Sequence, residues 1–456
     1  MLLTDSKAKL NFSTNEVLFD TVFTHVGSTT RIFRILNPHN QPVTISKIFF
    51  GTGNNSQFRM NVDGVSAKSF SNVEIPGNDS LFVFVQVTVN PTGTNSPLLI
   101  RDSILFETNG NLQHVLLTAI GQDVYLHKPD HFPTNGIPPY SIIDCNSTWT
   151  NDKPHLIFGY AVVDEGCTLT MLPGTRVNLN NKAVLWIYSG GTLLINGAKG
   201  NEVTFQGARL EADYKEVAGQ WGKIWLSPGS INNVIDWAII KNGNIGVQAD
   251  TLGASANPTL LITNTIIKNM QAAAIYGQGS FIRSYNCVFA NSGQYIAALT
   301  IGGKYRFEQC TFANFWNRSQ RTTPLLALSN YYIDYTGATQ IRNLDSAYFG
   351  NCIMFGDIEE EVGLDSSTVG GIFNYRFDHC IVKTALNTAN GVHYNSVYQN
   401  LNPGFKDASV NDYQLTVTSL AIDKGDTGIF IATDLNNQPR PNPNTSIPDL
   451  GAYEFY

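Results

Sequence analysis

The sequence predicts an all-β protein: an Ig-like β-sandwich, then a right-handed parallel β-helix closed by a C-terminal segment. Three observations carry this prediction. Residues 9–121 break into short segments of period two. A motif centred on a small residue, often Cys, recurs between residues 235 and 385. Charged residues make up only 14% of the 456-residue chain while aromatics reach 11%, so its surface is built from uncharged polar side chains over β-forming residues.

The first domain is assigned to residues 1–125. "LFVFVQVTV" (81–89) alternates Leu81, Val83, Val85, Val87 and Val89 with Phe82, Phe84, Gln86 and Thr88, which is the period of a strand with one apolar face. "TTRIFRIL", "VTISKIFF", "DSILFETNG" and "HVLLTAIG" read similarly. Breakers separate them at 37–42, 75–79 and 90–97. Seven or more strands in about 110 residues point to a sandwich. "HKPDHFPTNGIPPY" follows, and its prolines cannot donate ladder hydrogen bonds, so residues 126–140 are read as a linker.

Residues 141–415 are read as the β-helix. The segments "IDWAIIKNG", "ITNTIIKNM", "SYNCVFANS", "FEQCTFANF", "FGNCIMFGD" and "FDHCIVKTA" stack on one column of small residues: Ala238, Thr265, Cys287, Cys310, Cys352 and Cys380. Two residues on stand Ile240, Ile267, Phe289, Phe312, Met354 and Val382, all apolar. The interval is 22–28 residues, except for 42 between Cys310 and Cys352. Such a period with short strands indicates a solenoid whose coils stack about 4.8 Å apart. Trp237, Asn264, Asn286, Gln309, Asn351 and His379 precede the column, and Asn242, Asn269, Asn291 and Asn314 follow it by four. Asn tolerates the left-handed conformation of a sharp corner, and stacked amides hydrogen-bond along a pile. "PLLALSNYY" matches "YIAALTIGG", so the long interval is one coil with two inserted loops, near 316–323 and 333–345. Residues 416–456 are assigned to a cap, because an open coil end is an unpaired sheet edge.

Net charge is −7 with no basic cluster, which argues against nucleic acid as a partner. No apolar run reaches the length of a membrane helix, and "MLLTDSKAKL" lacks the core of a signal peptide. There is no HExxH, no GxSxG elbow and no phosphate-binding loop ahead of a helix.

"STWTNDKPHLIFGYAVVDEGCTLTMLPGTRV", "GQWGKIWL", "IDWAIIKNG" and the closing "TDLNNQPRP…PDLGAYEF" resemble the exported right-handed parallel β-helix proteins of Bacteroidota, a family of predicted lipoproteins with no assigned activity. The first domain resembles Ig-like domains of the ASPM/SPD-2/hydin type. The resemblance implies export and attachment to the outer membrane through a lipidated Cys that this chain does not carry. It implies no catalytic residues.

Four groups of residues are candidates for chemistry. Trp316, Tyr331, Tyr332 and Tyr335, with Arg318 and Arg321, lie in or beside the inserted loops. Sugars stack on flat rings and accept from guanidinium groups, and loops on a stiff solenoid carry function; the competing role is packing of a long loop on the wall. Asp357, Glu359, Glu360, Glu361 and Asp365 are a candidate calcium site, calcium being the one ion considered and no other cofactor being expected. The competing role is a solvated acidic loop. Cys145 and Cys167 are spaced to staple the helix entrance, and the four column cysteines are expected to be free, because parallel Cβ vectors fit a disulfide poorly. Trp221 and Trp225 are read as structural.

The functional expectation is a non-catalytic surface protein that binds polysaccharide or adheres to envelope or host-surface proteins. The alternatives are a polysaccharide lyase or glycoside hydrolase on the same scaffold and a structural envelope component.

Overall fold

The computed structural model describes residues 1–456 except 92, 94–96, 135 and 252–255, so parts of the expected breaker at 90–97 and linker at 126–140 lie outside the described residues. Among the described residues there is no α-helix. The chain divides into two compact units: Met1–Val124 with Leu210–Ala212, and Tyr125–Arg209 with Asp213–Tyr456.

The first unit is a β-sandwich of two five-stranded sheets. The period-two pattern sets the core: Val83, Val85 and Val87 are fully buried, whereas Phe82 on the opposite face is half exposed. Phe33, Phe58 and Met60 of that sheet pack against Phe19, Ile48, Phe106 and Leu117 of the other. Pairing is antiparallel except where Asn111–Gln122 runs parallel to Glu16–Phe23.

The second unit is a parallel β-helix with three walls. Among the described residues, wall one has eleven strands from Tyr125–His127 to Tyr398–Gln399. Wall two has nine, from Tyr140–Ile142 to Val362–Asp365, and wall three has ten, from Thr148–Trp149 to Tyr394–Asn395. The chain visits the walls in that order, coil after coil. Two boundaries differ from the sequence reading. Tyr125–His127 and Tyr140–Ile142 pair with the coil above, so the helix begins at Tyr125, the last residue of the expected first domain, and takes in the expected linker, whose prolines fall between these strands. The walls end at Gln399 rather than 415, and Phe405–Asp407 pairs with Asp412–Leu415 in a separate hairpin.

The stacking register follows the sequence columns. Ile240, Ile267, Phe289, Phe312, Met354 and Val382 are paired coil to coil and completely buried. On wall three, Phe307, Phe349, Phe377 and Tyr394 form a continuous stack with centroids 5.1–5.6 Å apart. The column cysteines Cys287, Cys310, Cys352 and Cys380 are free and buried, each thiol donating to the carbonyl two residues earlier. Burial pushes the Cys287 and Cys352 thiols up in pKa.

Left-handed residues make the corners. Trp237, Asn264, Asn286, Gln309, Asn351 and His379 all have φ between 48° and 60°. The Asn286 amide donates to Asn264 Oδ1 at 2.6 Å, and Asn264 donates to Asp236 at 2.8 Å, so the pile is hydrogen-bonded coil to coil from Asp236 to Asn286. Asn269 donates to Asn242 in the same manner at the next corner.

The C-terminal segment is not an end cap. Tyr413, Leu435 and Ala452 cover Val288, Ala290 and Ala313 on the outside of wall one. Leu415, Ala421 and Leu450 cover Ile353 and Ile381 further along. The reason is legible in the columns: the residue between the small and the large position is β-branched, points outward, and needs an apolar cover. Arg440, buried in this strap, donates to Glu454 at 3.2 Å and to the Gly451 carbonyl.

Cys145 and Cys167 form a disulfide between adjacent coils at the start of the helix. Closing this 22-residue loop stabilises the folded state by about 3 kcal/mol in the chain-entropy model. Reduction is therefore expected to lower stability against urea by that amount, while the four column thiols react with a thiol reagent only after unfolding; rapid reaction in the native state would contradict the burial described.

Candidate functional site

The corner between walls two and three departs from a smooth solenoid. Thr251, Gly279 and Ile301 close successive wall-two strands with φ of 62°, 58° and 62°. Thr and Ile are β-branched, and such residues rarely adopt this conformation. The second inserted loop leaves from the same corner as an antiparallel hairpin, Tyr331–Ile333 against Thr339–Ile341, tied at its turn by Asp334, whose carboxylate accepts from Thr336, Ala338 and Gln340. Those bonds, led by the Thr336 hydroxyl, hold the Asp334 pKa down at about 2.

Between hairpin and corner lies a cleft of about 640 Å3, lined among others by Asp250, Gln278, Tyr332, Arg342, Asn343 and Asp345. Its floor includes Gly279 and Gly303, both at positive φ; a Cβ at Gly303 would lie 2.6 Å from the Ser280 carbonyl, so the floor stays bare. The Arg342 guanidinium sits 5.5 Å from the Tyr332 ring centroid and donates to the Ile341 carbonyl.

Asp250 is only 8% exposed and is held from behind. Trp225 Nε1 donates to Oδ2 at 2.7 Å, and Gln248 Nε2 lies 3.0 Å from both carboxylate oxygens. Gln248 is fixed in turn by Lys223, whose Nζ donates to Oε1 at 2.6 Å while lying 4.7 Å from the Trp225 ring. Burial lowers the Lys223 pKa, against a smaller opposing pull from Asp250. Trp186 stacks beneath Trp225 at 4.9 Å. This network occupies the outer face of wall two, where nothing in the β-helix core requires it. Trp225 is therefore more than wall packing: it orients Asp250. Trp221, by contrast, is inside, donating to the Lys241 carbonyl.

The structure separates the aromatic and arginine group expected to act together. Tyr332 lines the cleft, Tyr331 donates to Asp365 at 2.8 Å, and Tyr335 is fully exposed at the hairpin tip. Arg318 is exposed in the first inserted loop. Trp316 and Arg321 are not surface residues: Trp316 is 8% exposed with its indole donating to Ser319, and Arg321 is buried against Glu361. Loop packing on the wall wins for these two, because the insertion folds its apolar and charged side chains under itself.

The expected calcium ligands do not converge. Glu361 is buried, with both oxygens taken by Arg321 and further bonds from Leu325 and Ile358. Burial raises its pKa, and Arg321 opposes that rise. Glu360 caps Thr384, Ala385 and Val362; Asp365 accepts from Tyr331; Asp357 and Glu359 are exposed. The sequence run placed five carboxylates together, but the turn points them to different neighbours. Among the described residues, Asp378, His379 and Asp426 are drawn within 4.8 Å of one another, yet Asp378 is already occupied by His379, Arg376 and Asn395.

Asp250, Gln278, Arg342, Asn343 and Asp345 were not singled out from the sequence. For Arg342, Asn343 and Asp345 the signal was present, since they end the expected loop at 333–345. Asp250 ends an ordinary strand and gave none.

With a parallel β-helix established, residues 141–312 match the family described as "Right handed beta helix region". Solved structures similar to the chain include the Agl-KA catalytic domain, at 10% identity over 76% of this chain and 75% of that one with a TM-score of 0.32. The catalytic unit of the thermostable GH87 alpha-1,3-glucanase from Streptomyces thermodiastaticus strain HF3-3 matches at 8% identity over 81% and 88%, with a TM-score of 0.22. The E. coli chaperone DraB matches at 9% identity over 25% of this chain, with a TM-score of 0.18, and the match spans 55% of DraB. No curated protein matches the chain.

Proposed function

We propose that the protein is a non-catalytic, exported surface protein that binds glycan in the cleft between walls two and three. One observation carries the reading: a flat ring, a guanidinium, two side-chain amides and two carboxylates converge on one concavity of a rigid scaffold, as Tyr332, Arg342, Gln278, Asn343, Asp250 and Asp345. Sugars need a ring to stack on and a dense set of hydroxyl partners, and sites on rigid elements hold such partners in place. The disulfide and the sparse charge support an extracellular setting, with anchoring to the outer membrane by lipid as part of the same proposal.

Native affinity electrophoresis through gels containing plant, algal and host polysaccharides tests this. One polymer is expected to retard the protein, with Tyr332→Ala and Arg342→Ala each weakening retardation tenfold or more. Absence of retardation across the panel would favour a structural envelope role. The presence of two carboxylates in the cleft also keeps a glycoside hydrolase reading alive, since such enzymes work with a carboxylate pair. Release of reducing ends from the bound polymer, abolished by Asp250→Asn, would establish it.

A further inference from the structure

The glycan reading leaves open which sugars the cleft takes, and the following rests on that reading. Among the described residues no ion pair reaches Asp250 or Asp345. The groups that hold Asp250 are neutral N–H donors, from Trp225 and Gln248. A carboxylate offers about four acceptor positions, and those donors approach Oδ2 twice and Oδ1 once, which leaves room for one more donor from the cleft side. Lys223 stands behind Gln248 and does not line the cleft. Among the described residues the one cation that does line it, Arg342, is drawn to the Tyr332 ring and the Ile341 carbonyl. The cleft thus presents two carboxylates and one guanidinium, with no ion pair formed at either carboxylate and the Lys223 ammonium acting on Asp250 only from behind Gln248.

We propose that the cleft binds a glycan carrying a free amine, with the sugar ammonium donating to Asp250 and its ring against Tyr332. A charge-assisted bond to a pre-oriented carboxylate in a sheltered cleft is stronger than a neutral one. A uronate-bearing glycan meets like charge at both Asp250 and Asp345, which outnumber the single Arg342 guanidinium in the cleft, and binds more weakly. An N-acetylated sugar loses the cation and keeps only its neutral contacts.

Calorimetric titration at pH 6, where a sugar amine is protonated, tests this with three probes of equal length: glucosamine oligomers, N-acetylglucosamine oligomers and galacturonic acid oligomers. The glucosamine oligomer is expected to bind at least tenfold more tightly than the N-acetylated one, and the galacturonate oligomer more weakly than either. Asp250→Asn is expected to remove most of that tenfold difference, and the exposed Asp345→Asn to reduce it, which covers the case in which the buried substitution impairs folding. Glu74→Gln, an exposed change of equal charge in the β-sandwich, controls for non-specific attraction of a polycation to an acidic protein and should leave affinity unchanged. Equal binding of the two hexosamines, tighter binding of galacturonate, or an equal loss with Glu74→Gln would overturn the amine assignment while leaving glycan binding standing. Failure of all three oligomers, together with no retardation by any polysaccharide, would overturn both.

Discussion

The β-helix is expected to lose about 4 kcal/mol of stability between pH 8 and pH 5 through two histidines at its N-terminal end. His127 and His155 point into the first coil, where Trp149 stacks on His155 at 3.8 Å and on His127 at 4.7 Å. Their rings share a hydrogen bond of 3.0 Å between His127 Nε2 and His155 Nδ1, and His155 Nε2 is buried without a partner. Burial pushes the His127 pKa down to about 4, eased slightly by Asp144. Burial, then the neighbouring His127, pushes His155 down to about 3. Both folded-state values lie below the unfolded value of 6.5, so the unfolded chain binds more protons between them. The stabilisation is therefore complete above pH 6.5 and is lost as pH falls toward 4, with each ring contributing about 2 kcal/mol of the loss at pH 5. Asp449 in the strap works the other way, since burial raises its pKa to about 6 and its protonation favours the folded state. The clean comparison is thus between the wild type and His127→Phe/His155→Phe, which keeps rings against Trp149. All six tryptophans lie in the β-helix unit, so fluorescence during urea unfolding reports on that unit. A stability difference between the two proteins that is independent of pH would refute the assignment.

Arg321→Met is expected to cost about 3–5 kcal/mol, the usual penalty for stranding one partner of a buried ion pair. The side chains of Arg321 and Glu361 are 3% and 0% exposed, joined by two bonds of 2.8 and 2.6 Å, and Arg321 also donates to the Asn314 and Thr323 carbonyls. Removing the guanidinium leaves the Glu361 carboxylate in a site whose burial already raises its pKa. The double change Arg321→Met/Glu361→Leu should recover most of the loss, because a matched apolar pair has no charge to strand. If the single substitution costs under about 1 kcal/mol, the pair is solvated and the burial argument fails. Glycan retardation by the variants should match the wild type wherever they are folded, which separates this loop from the cleft.

The repeat was legible because a β-helix writes its geometry into columns. The residue before the column marks the corner, the small and large positions fill the bore and the β-branched one between them faces outward, and the left-handed corner explains why Asn recurs there. The excess of 19 residues between Cys310 and Cys352 over a 23-residue coil located both insertions. What the insertions do was not legible. Trp316 and Arg321 look like surface recognition residues in a loop, but whether a loop folds under or projects depends on contacts with coils far along the chain. Glu361 lies in a run of acids, and only its burial beside Arg321 sets it apart. Asp250 becomes distinctive through Trp225 and Gln248, on its own and the preceding coil, a proximity that no local pattern announces. The end of the helix was misplaced for a related reason: residues 400–415 keep strand-like composition, yet they turn back along wall one.

That returning strap changes how the coils come apart. A stack of near-identical repeats unfolds piecemeal, each coil held only by its two neighbours. Here Lys199 is tied to the Leu435 carbonyl, Asn286 to Arg440, Asn291 to Asn411, Thr311 to Ala452 and Asn351 to Asp426. One segment thus spans coils from residue 199 to residue 351 and binds them in parallel, like a splint along a stack of rings. Fraying any single coil under it means peeling the strap from several others, so this stretch should open as one cooperative block, while the coils before residue 199 lack the strap and are tied to one another by the Cys145–Cys167 disulfide instead.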